Sequence, residues 1–205
     1  MVVVHRLFRR EFDAAPELVR GVAAGDTRRS EIVGEYVTDL LTGLHHHHTG
    51  EDELLWPVLV ARVGGLDREL VERMESQHET VAKLMSLLDG VLPTWRATAT
   101  MGAEVADVLG QLTAALNEHL TDEETHVLPL VSQHITQSEW DALGRHGRTA
   151  IPKGRKGFVF LGAILSNATP TERTRFLSHL PAPVRLAWRI VGPGIHRRGM
   201  ARVHG

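Results

Sequence analysis

Four long segments whose apolar residues recur every three or four positions constrain the fold more than any other feature. This spacing places apolar side chains along one face of an α-helix. Short connections separate the segments, and strand signals are nearly absent. The sequence therefore predicts an all-α protein, an up-down-up-down four-helix bundle, with helices over about 2–22, 28–62, 67–91 and 102–133.

The charge changes sign along the chain. Residues 145–205 hold 12 Lys and Arg and a single acid, Glu172, whereas residues 1–144 hold 11 bases and 24 acids. We therefore predict two parts, a four-helix bundle over 1–134 and a basic helical extension over 135–205 that packs on it.

Two capping boxes fall within this extension. Thr136 and Thr169 each precede a Glu by three residues, a pattern that satisfies free N–H groups at a helix start. They predict short helices that begin near 137 and 170, and a further one begins near 182. The stretch IPKGRKG, at 151–157, is predicted to be a loop.

Composition and hydropathy narrow the functional classes. The chain has no Cys, which excludes disulfides, thiolate metal sites and a Cys nucleophile. Arginines interrupt the N-terminal stretch where a signal peptide needs an apolar run, and no apolar run is long enough to span a bilayer. We expect a cytoplasmic protein without a membrane partner. Basic and aromatic residues are not interleaved, so nucleic acid is not favoured as a partner, and the partner of the basic part is left open.

A repeat relates the second and fourth helical segments. The sequences HHTGEDELLWPVL, at 47–59, and HLTDEETHVLPLV, at 119–131, are offset by 72 residues (119 − 47 = 72). In each, a His precedes a Glu by four residues and a Pro follows that Glu by six. We call these segments the first and second His–Glu repeats. Residues four apart share one helix face, so both His–Glu pairs continue an apolar stripe into the bundle.

Counting residues from each turn brings six polar side chains to one depth. His5 on the first helix and His78 on the third lie level with the two His–Glu pairs, within about 3–5 Å along the helix axis. A buried carboxylate is costly unless it is paired, and imidazole with carboxylate suits iron, manganese or zinc. The sequence therefore predicts a metal centre whose ligands are His5, His47, Glu51, His78, His119 and Glu123.

This order of motifs, His, then H-x-x-x-E, then His, then H-x-x-x-E, resembles the hemerythrin, or HHE cation-binding, family over residues 1 to about 133. The resemblance implies two iron ions, bridged by Glu51, Glu123 and an oxo or hydroxo group. It assigns His5 and His47 to one iron, and His78 and His119 to the other. The basic C-terminal part resembles the extension of actinobacterial hemerythrin-like proteins.

One position departs from the family pattern. The family usually carries a second His on the third helix, one turn before the residue matched by His78, and this chain has Met74 there, beside Glu75. Either one iron lacks a ligand or Glu75 replaces it. A more open site favours reaction with peroxide or nitric oxide over storage of oxygen. Two hypotheses stay open, a module that binds or senses oxygen or nitric oxide and an enzyme that consumes peroxide or nitric oxide.

Three alternatives compete with this interpretation. A ferritin-like di-metal carboxylate oxidase or iron-handling protein would use the E-x-x-H pairs Glu75–His78 and Glu123–His126. The bundle could also hold a structural metal only, or none. Of the other histidines, we expect those of the run at 45, 46 and 48 to lie on the surface or behind the ligands, and His126 to lie outside the centre.

Overall fold

The computed structural model describes all residues from 1 to 205, and they form helices without any strand. The all-α prediction is therefore confirmed. None of the helices combines the length and the hydrophobicity that crossing a membrane requires. The helices in chain order are α1 (Val2–Arg20), α2 (Thr27–Leu54), α3 (Trp56–Arg62), α4 (Leu66–Thr98), α5 (Gly102–Asp122), a π-helical turn (Glu123–Val127), α6 (Leu128–His134), α7 (Gln137–Thr149), α8 (Gly154–Ser166), α9 (Pro170–Ser178) and α10 (Ala182–His204).

The chain divides into two compact units. One unit, here called the bundle unit, comprises Glu11–Ala150, and the other, here called the terminal unit, comprises Met1–Arg10 together with Ile151–Gly205. Helix α1 contributes residues to both. The boundary that we expect at 134/135, and the packing of the extension on the bundle, stay predictions.

In the bundle unit, α4 packs against both α2 and α5. Helix α1 joins α5 through the Thr113 hydroxyl, which donates to the Phe12 carbonyl at 2.9 Å. The apolar stripes that the sequence predicts for these helices are buried, including Leu40, Leu44, Leu88, Leu109, Leu112 and Leu116.

Local signals explain where several helices begin. Asp26 caps α2, because its side chain accepts from the backbone N–H of Arg29. Both predicted capping boxes are present, at Thr136 and at Thr169. Pro57 lies in the first turn of α3 and Pro129 in the first turn of α6. Proline lacks the N–H that an uninterrupted helix needs, so both long segments break just after their His–Glu pairs.

Two of the predicted boundaries are wrong. Helix α4 does not end near residue 91 but continues to Thr98 with Pro93 inside it. Burial explains this, since Trp95 is only 1% exposed and a tertiary contact of this size outweighs the lost hydrogen bond. Similarly, only the first residues of IPKGRKG form a connection. Helix α8 begins at Gly154.

Helix α7 packs against α2 within the bundle unit. The contact is close at Gly50, where an added Cβ would lie 2.8 Å from Cδ2 of His146. Arg62, at the end of α3, donates to Glu139 of the α7 capping box at 2.7 and 2.9 Å. Helix α7 is thereby fixed to the part of α2 that carries the first His–Glu repeat.

In the terminal unit, α8 packs against α10. Its small core contains Leu161, Leu165 and Leu180, with Trp188 partly buried against them. Arg6 forms an ion pair with Glu172 of the α9 capping box.

Candidate metal centre

Helix α2 supplies three of the polar side chains inside the bundle unit. Glu51 is fully buried and His48 is 6% exposed, while the side chain of His47 is 13% exposed. Glu51 follows His47 by four residues and His48 by three, so it lies on the same side of the helix as each of them, although the two histidines themselves are rotated by about 100°. The apolar stripe through Leu40 and Leu44 thus ends in imidazoles and a carboxylate.

Helices α4 and α5 bring further groups to the same place. His78 on α4 is 6% exposed, and His119 and Glu123 are fully buried. Glu123 opens the π-helical turn, in which the Leu128 N–H donates to the Glu123 carbonyl. A π-turn adds one residue to the helical repeat and is frequent at functional sites.

These side chains form two groups. Within each group, the potential ligand atoms all lie within 4.8 Å of one another. His48, Glu51, His78 and His119 make the first group, and His47, Glu51 and Glu123 belong to the second. Glu51 takes part in both. The structure therefore brings together five of the six predicted ligands, and their role as ligands stays a prediction.

The sixth predicted ligand, His5, lies on α1 in the terminal unit. Its ring is fully buried. Burial, followed by the positive charges of the N-terminus and Arg9, holds its pKa well below the usual value. The ring is therefore neutral at pH 7, the form that can bind a metal. Its assignment to the centre rests on the sequence.

The protonation of His78 follows from its partners. Its Nδ1 lies 2.7 Å from Oδ1 of Asp52, and a carboxylate only accepts, so Nδ1 carries the proton. The Trp56 indole N–H also approaches Nδ1, at 3.4 Å, but the shorter contact decides the tautomer. The lone pair of His78 is consequently on Nε2.

The tautomer of His119 is fixed in the same way. Its Nδ1 lies 3.2 Å from Oε1 of Gln77, and the Gln77 amide is oriented because its Nε2 donates to Asp122 at 3.0 Å. The His119 lone pair is therefore also on Nε2. A carboxylate or carbonyl that fixes the far nitrogen in this way is typical of metal-binding histidines.

The two Nε2 atoms, of His78 and His119, are 3.1 Å apart. Two lone pairs at this distance repel each other unless a proton or a cation lies between them. Glu51 completes this arrangement, with Oε2 3.5 Å from His78 Nε2 and Oε1 3.3 Å from His47 Nε2. Neither oxygen of Glu51 accepts a hydrogen bond. This donor set fits a bound cation.

Both buried carboxyl groups have raised pKa values. Burial, followed by the charge of Glu123, raises the pKa of Glu51 well above its usual value. Burial raises the pKa of Glu123 to about 8. Desolvation disfavours the charged form of an acid, and a nearby cation reverses that preference. A bound cation would therefore offset the cost of charging both carboxyl groups.

The sequence interpretation missed His48. It was expected on the surface or behind the ligands, but its ring is buried and stacks on His78 with centroids 4.0 Å apart. Two signals were available, its spacing of three residues from Glu51 and its mismatch with Leu120, which holds the same place in the second His–Glu repeat. Asp52 and Gln77 were missed too, because their contacts are made between helices.

The structure does not support two alternatives that the sequence left open. Glu75 is exposed on α4, so it does not replace the histidine that Met74 displaces, and Met74 itself is fully buried. His126 is exposed as well. Because the i and i+3 positions of the two E-x-x-H pairs do not both face inward, the ferritin-like alternative loses the motifs on which it depends.

The fold and the site define a class, helical bundles in which His and Glu side chains from several helices converge and could hold cations. The model of the hemerythrin HHE cation-binding domain matches residues 1–131, and the chain belongs to this family.

A weaker relative is an uncharacterized hemerythrin-like protein of Schizosaccharomyces pombe. It is 22% identical over 96 residues, which cover 47% of this chain and 44% of that protein. The aligned part is thus less than half of either chain. No solved structure matches significantly.

Proposed function

We propose that the protein is a hemerythrin-type non-haem di-iron protein that binds or reacts with a small ligand, namely oxygen, nitric oxide or peroxide. One observation carries the proposal. The carboxylate of Glu51 lies between two groups of potential ligands and belongs to both, as a carboxylate that bridges two metal ions would. The predicted ligands His5, His47, His78, His119 and Glu123 divide between the two positions.

Iron is the cation that best fits both the donors and the proposed chemistry. The groups offer imidazole nitrogens and carboxylate oxygens and no thiolate, since the chain lacks Cys. Such a set accepts iron, manganese or zinc, and among these iron supplies the reversible binding and electron exchange that diatomic ligands and peroxide require.

The chain itself orients and protects the centre. Asp52 and Gln77 hold the Nδ1 protons of His78 and His119, so that both Nε2 atoms are ready to bind. Outer partners of this kind raise metal affinity by about 10–100-fold. Fully buried apolar side chains flank the polar groups along their own helices and exclude bulk water; they are Leu44, Leu55, Val81, Leu116, Leu120 and Val127.

Reconstitution of the full chain tests the proposal. The apo-protein is incubated anaerobically with ferrous iron, desalted and analysed for metal, with zinc and manganese in parallel. We expect two irons per chain and, after exposure to oxygen, the absorption bands of bridged ferric iron. Less than one iron per chain, or stable binding of zinc alone, would contradict the proposal.

Rapid mixing of the reduced di-iron protein then separates the two functional hypotheses. A lasting coloured adduct with oxygen or nitric oxide indicates a carrier or sensor. Repeated consumption of added peroxide or nitric oxide, measured with an electrode over many equivalents, indicates an enzyme. The missing family histidine at Met74 favours turnover, provided that no other side chain supplies that ligand.

A further inference from the structure

We propose that His48 is a metal ligand that replaces the histidine missing at Met74, so that two consecutive residues of one helix serve different metal ions. The inference rests on the proposed di-iron function and specifies how one of its ions is held. It concerns a side chain that the sequence pattern of the family does not use.

Helix geometry directs the two adjacent histidines to different groups. Successive helical residues are rotated by about 100°, so the rings of His47 and His48 leave α2 in different directions. The structure places the His47 nitrogen in a group with Glu51 and Glu123, and the His48 nitrogen in a group with Glu51, His78 and His119. Glu51, three residues from one histidine and four from the other, faces both groups.

Met74 and His48 share one neighbour, His78. Met74 lies one helical turn before His78 on α4, where the family usually places a histidine. The ring of His48 stacks on that same His78, with an interplanar angle of 13°, and lies edge-on to His119 at 5.0 Å between centroids. Compared with the family pattern, α4 thus lacks one imidazole and α2 offers an additional one, and both positions adjoin His78.

The two His–Glu repeats differ at the position of His48. Position 48 in the first repeat corresponds to position 120 in the second (48 + 72 = 120), and Leu120 is fully buried. The repeat therefore accepts an apolar side chain at this place. In the first repeat this position carries His48, which is 6% exposed. Burial of an imidazole is favourable when it binds a metal.

The assignment changes what is expected of the centre. The metal ion of the first group gains a third imidazole beside Glu51, whereas the His47 group offers two carboxylates, Glu51 and Glu123. The two ions would therefore have different donor sets. The reduced protein should accordingly give two distinct quadrupole doublets of equal area in its Mössbauer spectrum.

Substitution by the residue of the second repeat tests the assignment. His48→Leu is compared with the wild-type chain and with His45→Leu, a matched change at an exposed residue of the same histidine run. We expect two irons per chain for wild-type and His45→Leu. His48→Leu should retain about one iron and bind the second more than about 100-fold more weakly, beyond the loss that outer partners cause.

A second variant distinguishes ligation from packing. His48→Leu combined with Met74→His returns an imidazole to the usual place on α4 and should restore two irons and both Mössbauer doublets. Circular dichroism of the apo-proteins checks that each variant folds.

The outcomes separate the two proposals. A wild-type chain without iron refutes the di-iron function. A wild-type chain with two irons and a His48→Leu variant that binds both equally well refutes the role of His48 alone. A folded double variant that stays at one iron would assign the loss to packing and overturn the inference.

Discussion

The two His–Glu repeats have nearly the same pattern, yet they build different parts of the centre. In the first repeat the helix is regular through Glu51, whose carbonyl accepts the N–H of Leu55 four residues later. In the second repeat the Glu123 carbonyl accepts the N–H of Leu128, five residues later. The regular turn places Glu51 in both ligand groups, whereas Glu123 belongs to one.

The prolines are shared and so do not explain this difference. Pro57 and Pro129 each lie six residues after the Glu, and neither donates a backbone hydrogen bond. In the first repeat, the hydrogen bond that proline cannot donate falls at the break at Leu55 between α2 and α3. In the second repeat, it falls at the π-turn. The two repeats thus have the same inward-facing positions, but the backbone near the carboxylate is a regular helix in one and a π-turn in the other.

The largest expected effect is a difference in iron content between variants of the two buried carboxylates, Glu51 and Glu123. Glu51→Gln removes the charge shared by both groups, so we expect the loss of both irons. Glu123→Gln removes a ligand of one group, so we expect it to retain about one iron. Anaerobic titration with ferrous iron and metal analysis measure both.

The control for this pair is Glu75→Gln, which alters an exposed carboxylate on α4 and should leave two irons. Both test variants should also be folded without metal, because an amide removes the cost of a buried charge. Equal iron content in Glu51→Gln and Glu123→Gln would show that the repeats contribute alike.

A smaller effect compares the groups that orient the histidines. Asp52→Asn weakens a charged contact of 2.7 Å to His78, and Gln77→Ala removes a neutral one of 3.2 Å to His119. We expect the iron affinity to fall by about tenfold or more for Asp52→Asn and by less for Gln77→Ala, since charge-assisted hydrogen bonds are stronger.

Competition with a chromophoric chelator measures these affinities. Glu53→Gln, at an exposed neighbour of Asp52, is the matched control and should match the wild-type. If Gln77→Ala proved more damaging than Asp52→Asn, the neutral contact to His119 would be the more important of the two.

Periodicity explains why much of the bundle could be predicted from sequence. The stripe through Leu40 and Leu44 leads to His47 and Glu51 at helical spacing, and such local signals need no knowledge of neighbouring helices. The caps at Asp26 and Thr136 are local for the same reason. Within one helix, the residue types and their spacing determine which face is buried.

The remaining features depend on contacts between helices. The burial of Trp95 extends α4 beyond Pro93, and no pattern within that segment predicts it. Likewise, the ring of His48 faces inward because His78 and His119 lie across from it. Periodicity places His47 on the stripe but leaves the adjacent residue undecided, so only the packed structure distinguishes a surface histidine from a potential ligand.

The smallest expected effect concerns a pair of elements that should behave alike, the capping boxes of α7 and α9. Hydrogen bonds from Arg62 and Thr136 lower the pKa of Glu139 to about 2. Those from Arg6 and Thr169 lower the pKa of Glu172 to about 2. The folded pKa lies below the usual value of 4.5 in both, so each charge stabilises the fold above pH 4.5, and this contribution disappears as the pH falls from about 4.5 to about 2.

Glu139→Gln and Glu172→Gln test this equivalence, because Gln keeps the shape of the capping side chain and removes its charge. At pH 7 each variant should lower Tm by no more than about 4 °C, and the difference from wild-type should shrink as the pH falls below 4.5. Amide exchange should quicken in α7 for the first variant and in α9 for the second, with two irons retained in both. Loss of iron from Glu139→Gln would instead reveal that α7, which packs against α2 at Gly50, helps to hold the first His–Glu repeat in place.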